Sequence, residues 1–232
     1  MKDSFKNFTN RLENSEIKKI WNNHSGVKKK FFDFFYSEIN RIEKPQIIEF
    51  GVRHGVSTSL FLDICEINNG FLYSIDENDY SKNFKSSKWK FIKSRDDNFQ
   101  LLKKTLPSNV DVIFLDTVHK ANHVIKILLN YFENLKVGGY FIIDDINWTP
   151  YMKNKKYDHF FKEINNKETF DSLIQIYSIN SEIVDLKFNF TDTGCVIIRK
   201  LKDQKIIFNN NKITRQHTLK NYFRKIYELF VN

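Results

Sequence analysis

A glycine-containing segment after the first predicted strand has the composition of a ligand-binding turn. Gly51 and Gly55 allow the backbone to turn tightly and approach a ligand, and Ser57 is expected to cap the following helix. Their G-x-x-x-G spacing differs from the G-x-G-x-x-G pattern of dinucleotide sites, so a dinucleotide cofactor is disfavoured. Turn chemistry alone is the alternative. The segment reads Glu49-Phe50-Gly51-Val52-Arg53-His54-Gly55-Val56-Ser57.

Asp76 ends the second predicted strand, about 20 residues beyond the glycine segment. A carboxylate at this place can accept hydrogen bonds from ribose hydroxyls, whereas a helix N-cap is the alternative role. Ribose binding without a dinucleotide glycine pattern points to a nucleoside cofactor such as S-adenosylmethionine.

Three acidic residues and a histidine follow two later predicted strands. Asp116 and His119 come after the fourth strand, and Asp144 and Asp145 follow the fifth. If these strands are neighbours, the three carboxylates converge and repel one another unless a cation neutralises them. Hard oxygen ligands suit Mg²⁺, Ca²⁺ or Mn²⁺ rather than zinc. In the alternative interpretation the acids cap helices and His119 lies exposed at a helix start.

Short apolar runs alternate with helical patterns through the middle of the chain, as in a parallel sheet covered by helices on both faces. We therefore expect an α/β fold, namely a Rossmann-like, doubly wound, mostly parallel sheet with an antiparallel edge strand pair. The predicted strands are 46–50, 71–75, 89–93, 111–115 and 140–143, and the predicted helices are 56–67, 98–106 and 119–135.

The two ends of the chain differ from this central pattern. We divide the chain into a helical N-terminal extension (1–44), a sheet domain (45–201) and a basic helical C-terminal extension (202–232). Within the sheet domain, the late segments predict a helix and three strands that include the antiparallel pair. That helix covers 157–164 and those strands cover 170–179, 183–190 and 194–201, while the final helix covers 218–231.

These motifs together resemble the class I S-adenosylmethionine-dependent methyltransferases. The resemblance rests on E-F-G-x-x-x-G-x-S, the acidic end of the second strand, and L-D-x-x-H followed by G-G-Y-x-I-x-D-D. Within the class, the chain is most similar to the group that includes macrolide-sugar O-methyltransferases and cephalosporin hydroxylase-like proteins. The resemblance covers about residues 45–148 and implies S-adenosyl-L-methionine as the cofactor.

The resemblance also implies roles for individual residues. Glu49 and Gly51 would line the methionine end of the cofactor, Asp76 would hold the ribose, and Asp96 would lie near the adenine, although the glycine usual before it is absent. Gly55, Ser57 and Asp116 complete the predicted cofactor-binding set. Asp116, Asp144 and Asp145 would bind Mg²⁺, and His119 would be the general base.

Composition limits the other functional classes. The 232 residues carry a net charge of +9, but most of the excess is lysine in an Asn-, Ile- and Phe-rich background of the kind an AT-rich genome produces. Nucleic acid is therefore not the expected partner, although nucleic-acid methylation and a non-catalytic binding protein remain alternatives. The two cysteines are expected to be buried and reduced, and the Lys28–Lys30 run is expected to form a solvated face.

The expected function is metal-assisted O-methylation of a small-molecule or carbohydrate hydroxyl. No apolar stretch approaches the roughly 20 residues of a membrane span, and the N-terminus has no signal-peptide core, so we expect a cytoplasmic protein. Acceptor choice is expected to lie in the helical ends and in segment 148–170. The Phe-rich segment 31–36 is consistent either with a homo-oligomer interface or with a helix buried in the monomer.

Overall fold

A seven-stranded sheet forms the centre of the computed structural model, which describes residues 2–148, 160–209 and 218–231. The sheet order is β3-β2-β1-β4-β5-β7-β6. Strands β1 to β5 are parallel, and β7 runs antiparallel to both β5 and β6, so the expected fold class is confirmed. The strands are Gln46–Phe50 (β1), Phe71–Asp76 (β2), Trp89–Lys93 (β3), Val110–Leu115 (β4), Leu135–Asp144 (β5), Val184–Asn189 (β6) and Cys195–Lys200 (β7).

Helices cover both faces of this sheet and one further helix follows it. Those before β4 are Lys2–Arg11 (α1), Ser15–Asn23 (α2), Ser25–Val27 (α3), a π-helical segment Lys28–Tyr36, Ser37–Ile39 (α4), Val56–Ile67 (α5) and Phe99–Thr105 (α6). Those after β4 are Ala121–Tyr131 (α7), a 3-10 turn Phe132–Asn134, Phe160–Asn180 (α8) and Leu219–Val231 (α9). Because the strand order reverses between β1 and β4, the carboxyl ends of these two strands border the crevice in which such sheets bind ligands.

The alternation of side chains along the strands builds two separate hydrophobic cores. On β4, Ile113 and Leu115 belong to the core that α6, α7 and α8 complete, whereas Val112 and Phe114 belong to the opposite core. All six β4 residues are buried because helices cover both faces. The continuous apolar strands predicted a sheet covered by helices on both faces, and this prediction is confirmed.

The first helices of the chain belong to the second of these cores. Phe8, Trp21 and Phe35 are buried against α5 and the sheet, and Trp21 Nε1 donates a 3.0 Å hydrogen bond to Ser59 Oγ. Most of the Phe-rich segment 31–36 is buried in the same core. This agrees with the alternative that the segment forms a helix buried in the monomer. These helices therefore contribute directly to the packing of the sheet.

The segment 170–179 is wrongly predicted as a strand, since it lies within α8. Its aromatic and β-branched residues favour a strand, but the buried positions follow a helical period. These positions, which recur at intervals of three and four, are Asn166, Thr169, Ser172, Leu173, Ile176 and Asn180. Because four of them are polar, hydrophobicity alone does not reveal the period. The predicted antiparallel edge pair is present as β6 and β7. Residues 157–159 of the helix predicted over 157–164 lie outside the described residues.

Two further expectations concern the whole chain. Cys65 and Cys195 are buried and free, as expected. Among the described residues, none of the helices combines the length and the apolar composition needed to cross a bilayer.

Candidate active site

The turn between β1 and α5, residues 51–55, is held against the loop that follows β4. Gly51 has φ +96°, and a Cβ there would lie 2.0 Å from the carbonyl oxygen of Asp116. Gly55 has φ +77°, and a Cβ there would lie 2.7 Å from the ring of Phe84. Both glycines are thus required by backbone conformation and by close approach. We call residues 51–55 the glycine turn.

Glu49 lies beneath the glycine turn and is completely buried. Its carboxylate accepts hydrogen bonds from Ser57 Oγ at 2.6 Å, Thr58 Oγ1 at 2.9 Å and Ser74 Oγ at 2.6 Å. Burial raises the pKa of Glu49 to about 7, and the three hydroxyl donors oppose that rise. The expectation that Ser57 caps α5 is wrong, since Gly55 occupies the cap position and Ser57 donates to Glu49. Any contact of Glu49 or Ser57 with a cofactor stays a prediction.

Replacement of Glu49 by glutamine is expected to change how stability depends on pH. The folded carboxyl holds its proton up to about pH 7, whereas an ordinary glutamate releases it near pH 4.5. Between these values the folded state binds more protons than the unfolded state, so this residue makes the free energy of unfolding fall as pH rises. Glu49→Gln removes that contribution and should flatten the slope.

Urea denaturation between about pH 5 and about pH 8 measures the slope for the wild-type protein and Glu49→Gln. Glu13→Gln, at an exposed position, is the matched control and should retain the wild-type slope. Equal slopes in the wild-type protein and Glu49→Gln would show that Glu49 does not titrate in this range.

Asp76 supports the glycine turn from the end of β2. Its Oδ2 accepts a 2.9 Å hydrogen bond from the amide of Val52, and its Oδ1 accepts one of 2.9 Å from the amide of Asn78. Its role is therefore to hold two turns rather than to cap a helix. Asp76 also lines a cleft of about 410 Å³, together with Gly51, Asp96, Asp116 and His119. We call this the sheet-end cleft, and the predicted ribose contact of Asp76 stays a prediction.

Asp96, after β3, is buried at the edge of the sheet-end cleft. Its Oδ2 accepts a hydrogen bond from Thr117 Oγ1 and lies 2.8 Å from Nε2 of His123, on α7. The hydroxyl of Tyr131 donates a 2.9 Å hydrogen bond to the Asp96 carbonyl oxygen. Asp96 thus joins β3 to α7, a link that sequence reasoning did not anticipate because its partners are distant in the chain.

His119 lies between two carboxylates of the acidic residues that follow β4 and β5. Its Nε2 is 3.5 Å from Asp116 Oδ1 and 3.3 Å from Asp145 Oδ2. The structure therefore brings together residues that the sequence placed at two separate strand ends. Asp145 adopts φ +58°, a left-handed conformation that non-glycine residues seldom hold. Desolvation in the cleft, together with the charge of Asp145, raises the pKa of Asp116 to about 6.

Asp144 is buried and paired with a lysine from the π-helical segment. Lys30 Nζ donates to Asp144 Oδ2 at 2.8 Å and to Thr193 Oγ1 at 2.8 Å. Asp144 Oδ1 is buried and has no hydrogen-bond partner among the described residues. Burial, with a smaller contribution from Asp116, raises the pKa of Asp144 to about 7, and Lys30 opposes that rise.

The expectation of a solvated lysine run is therefore wrong for Lys30, which is 5% exposed. Its partner, Asp144, lies 114 residues away in the chain, so no local sequence pattern predicts the pairing. A buried lysine is tolerated because an ion pair and a second hydrogen bond offset its desolvation.

The predicted metal ligands fit a hard cation only in part. In the ranges 2–148, 160–209 and 218–231, no group of three or more His, Cys, Asp and Glu side chains is arranged to hold a metal ion. Asp116 and Asp145 nevertheless both lie next to His119, and Oδ1 of Asp144 is buried without a hydrogen-bond partner among the described residues. Two carboxylates completed by water and substrate oxygens suit Mg²⁺. The metal assignment thus stays a prediction.

Part of this chain is similar in sequence to known proteins. Residues 48–146 match a family model described as a methyltransferase domain. A protein of Acanthamoeba polyphaga mimivirus, R132, described as uncharacterized, is 28% identical over 128 residues, which are 48% of this chain and 58% of the viral protein. The match therefore spans little more than half of that relative.

Solved structures share the fold at low identity. MycE, a methyltransferase of the mycinamycin biosynthetic pathway solved with Mg, SAH and mycinamycin VI, is 16% identical with a TM-score of 0.55. The alignment covers 79% of this chain but 50% of MycE, so this chain spans about half of MycE's length.

A Staphylococcus aureus structure provisionally named a caffeoyl-CoA O-methyltransferase is 17% identical with a TM-score of 0.57, over 85% of this chain and 99% of that one. Identities this low show the fold alone. The match to the family model covers the glycine turn, Asp76, Asp116 and His119. Residues 48–146 of this chain therefore match a methyltransferase domain, and the described residues share the fold of methyltransferase structures.

Proposed function

We propose that this chain is an S-adenosylmethionine-dependent methyltransferase, which transfers the methyl group of the cofactor to a hydroxyl oxygen of a small-molecule or carbohydrate acceptor with help from a divalent cation. The observation that carries the proposal is the position of His119 between Asp116 and Asp145 on the wall of the sheet-end cleft. An imidazole held in this way is suited to accept the proton of a hydroxyl nucleophile.

The cofactor would occupy the sheet-end cleft. Gly51 would let the backbone approach the methionine end, Asp76 would offer a carboxylate to the ribose, and Asp96 would lie near the adenine, since all three line this cleft. The sulfonium is already activated, so the protein contributes mainly by aligning the acceptor oxygen with the methyl group and sulfur and by removing a proton.

His119 would remove that proton. The carboxylates of Asp116 and Asp145, 3.5 Å and 3.3 Å from its Nε2, orient the imidazole and stabilise the positive charge that it gains. Part of the His119 side chain is exposed to the cleft, so an acceptor hydroxyl can reach the ring. Water exclusion would come from the acceptor itself once it covers this opening.

The cation would be held by Asp116, Asp145 and the unpaired Oδ1 of Asp144. A bound Mg²⁺ would polarise the acceptor hydroxyl and neutralise the neighbouring carboxylates. Lys30 would keep Asp144 in one orientation through its 2.8 Å ion pair. The presence of Mg, SAH and mycinamycin VI in the MycE structure supports this choice of metal and of a small-molecule acceptor.

Calorimetry is expected to show S-adenosylmethionine binding, and Mg²⁺ titration of the cofactor-loaded protein should show a separate binding event. Asp145→Asn should weaken the Mg²⁺ event at least about tenfold, because it removes one charged ligand. Asp185→Asn, at an exposed position on β6, is the matched control and should change neither titration.

Activity can be followed as S-adenosylhomocysteine release against a panel of glycosides and small hydroxyl compounds. Absence of cofactor binding would contradict the methyltransferase role of the cleft. Cofactor binding with turnover that EDTA leaves unchanged would contradict the metal role alone, and methylation of nitrogen rather than oxygen would contradict the acceptor class.

A further inference from the structure

Helix α9 carries a continuous apolar strip that the rest of the described chain leaves exposed. Its large apolar side chains recur at intervals of one, three and four residues, so they share one side of the helix. Their exposed fractions range from 37% to 84%. They are Leu219, Tyr222, Phe223, Ile226, Tyr227 and Phe230. Such a concentration on one 13-residue helix is unusual for a surface that faces water only.

The opposite side of α9 is basic. Arg224 and Lys225 lie there with a single acid, Glu228, which pairs with Arg224 at 3.5 Å, and Lys220 lies at the border with the apolar strip. Three cations against one anion leave this helix positively charged, in a chain whose net charge is +9. The apolar and basic sides meet along the length of the helix, with aromatic residues forming much of the apolar strip.

We propose that α9 lies in the plane of an anionic lipid surface. Its apolar strip would enter the boundary between headgroups and acyl chains, and its cations would contact lipid phosphates. At 1.5 Å per residue the helix is about 20 Å long, which is shorter than a bilayer core of about 30 Å. It would therefore lie on the surface rather than cross it.

Charge favours a lipid surface over a second copy of this chain. Two α9 helices packed through their apolar strips would leave the cations facing outward without partners, and protein interfaces are depleted in lysine. An anionic surface pairs with the same cations instead. Tyrosine also suits the membrane interface, where its ring is partly dry and its hydroxyl stays wet, and phenylalanine is typical of the apolar face of interfacial helices.

Vesicle flotation of the full chain tests the proposal. Binding is expected with vesicles of phosphatidylcholine and phosphatidylglycerol in equal parts and is expected to be much weaker with phosphatidylcholine alone. The triple variant Lys220→Gln/Arg224→Gln/Lys225→Gln should weaken binding about a hundredfold. The triple variant Lys90→Gln/Lys103→Gln/Lys104→Gln removes the same charge from exposed positions elsewhere and should bind as the wild-type protein does.

The apolar strip is tested by Phe223→Ser/Phe230→Ser, which should lower the partition coefficient at least about tenfold. Val137→Ser/Ile207→Ser is the matched control, because both side chains are exposed outside α9. Thermal melts should be unchanged in every variant, since none of the altered side chains is buried.

No binding to anionic vesicles at low salt would overturn the proposal. Equal binding by the α9 variants and their controls would overturn it as well, because general charge would then explain the affinity. A dimer detected by sedimentation equilibrium without vesicles, and lost in Phe223→Ser/Phe230→Ser, would assign the strip to a second copy instead.

Discussion

His119→Ala is expected to lower methyl transfer by about 10²- to 10⁴-fold while leaving S-adenosylmethionine affinity within about twofold. The imidazole faces the sheet-end cleft between Asp116 and Asp145, where it can accept the acceptor proton. The change leaves the glycine turn and Asp76 untouched, so cofactor binding should persist. Single-turnover assays and calorimetry on the same preparation measure the two quantities.

A pH profile separates proton removal by His119 from a purely structural role. If His119 accepts the proton, the defect of His119→Ala should shrink as pH rises, because hydroxide can replace the missing base. His24→Ala is the control for loss of an imidazole at an exposed position, and its turnover should match the wild-type value. Unchanged turnover in His119→Ala would exclude the residue as the base.

Gly51→Ala is expected to destabilise the protein by about 3–5 kcal/mol and to abolish cofactor binding. The added Cβ would lie 2.0 Å from the carbonyl oxygen of Asp116, which is a backbone atom and cannot rotate away. Any relief must separate the glycine turn from the loop after β4. That separation would also displace Asp116 from His119, so binding and catalysis should be lost together.

Gly138→Ala is the matched control for this prediction. Gly138 also has a positive φ, +85°, but a Cβ there would meet no atom within 4 Å. It should therefore show only the cost of the left-handed backbone, about 1–2 kcal/mol. Urea denaturation and cofactor titration of both variants make the comparison. Equal losses in the two variants would show that the contact with Asp116 is unimportant.

The local pattern of residues was sufficient to predict most of the fold. The continuous apolar runs identified β1 and β4 as doubly covered strands, and Gly51 and Gly55 marked the turn that follows β1. These predictions succeeded because strand burial and turn conformation depend on neighbouring residues. Segment 170–179 was predicted incorrectly because its buried face contains polar residues, and its helical period becomes visible only when α8 packs on the sheet domain.

The candidate site was predictable in composition but not in arrangement. The sequence placed Asp116 and His119 after one strand and Asp145 after another, and the parallel pairing of β4 and β5 joined them. The pairing of Lys30 with Asp144 could not be predicted, because neither residue constrains the other until the π-helical segment packs against β5. The enclosure of Glu49 by three hydroxyls depends on the packing of α5 and β2 against β1, although Ser57 and Thr58 lie only 8 and 9 residues from it in the chain.

By itself, the sequence determined the alternating α/β order, the glycine turn and the identities of the residues that could take part in binding or catalysis. These features follow from short-range periodicity and from the backbone freedom of glycine. Only the tertiary structure decided which carboxylate faces His119, which one is neutralised by Lys30 and which lies buried beneath the turn. The reason is that burial and charge pairing are properties of groups that meet in space after folding, whatever their separation along the chain.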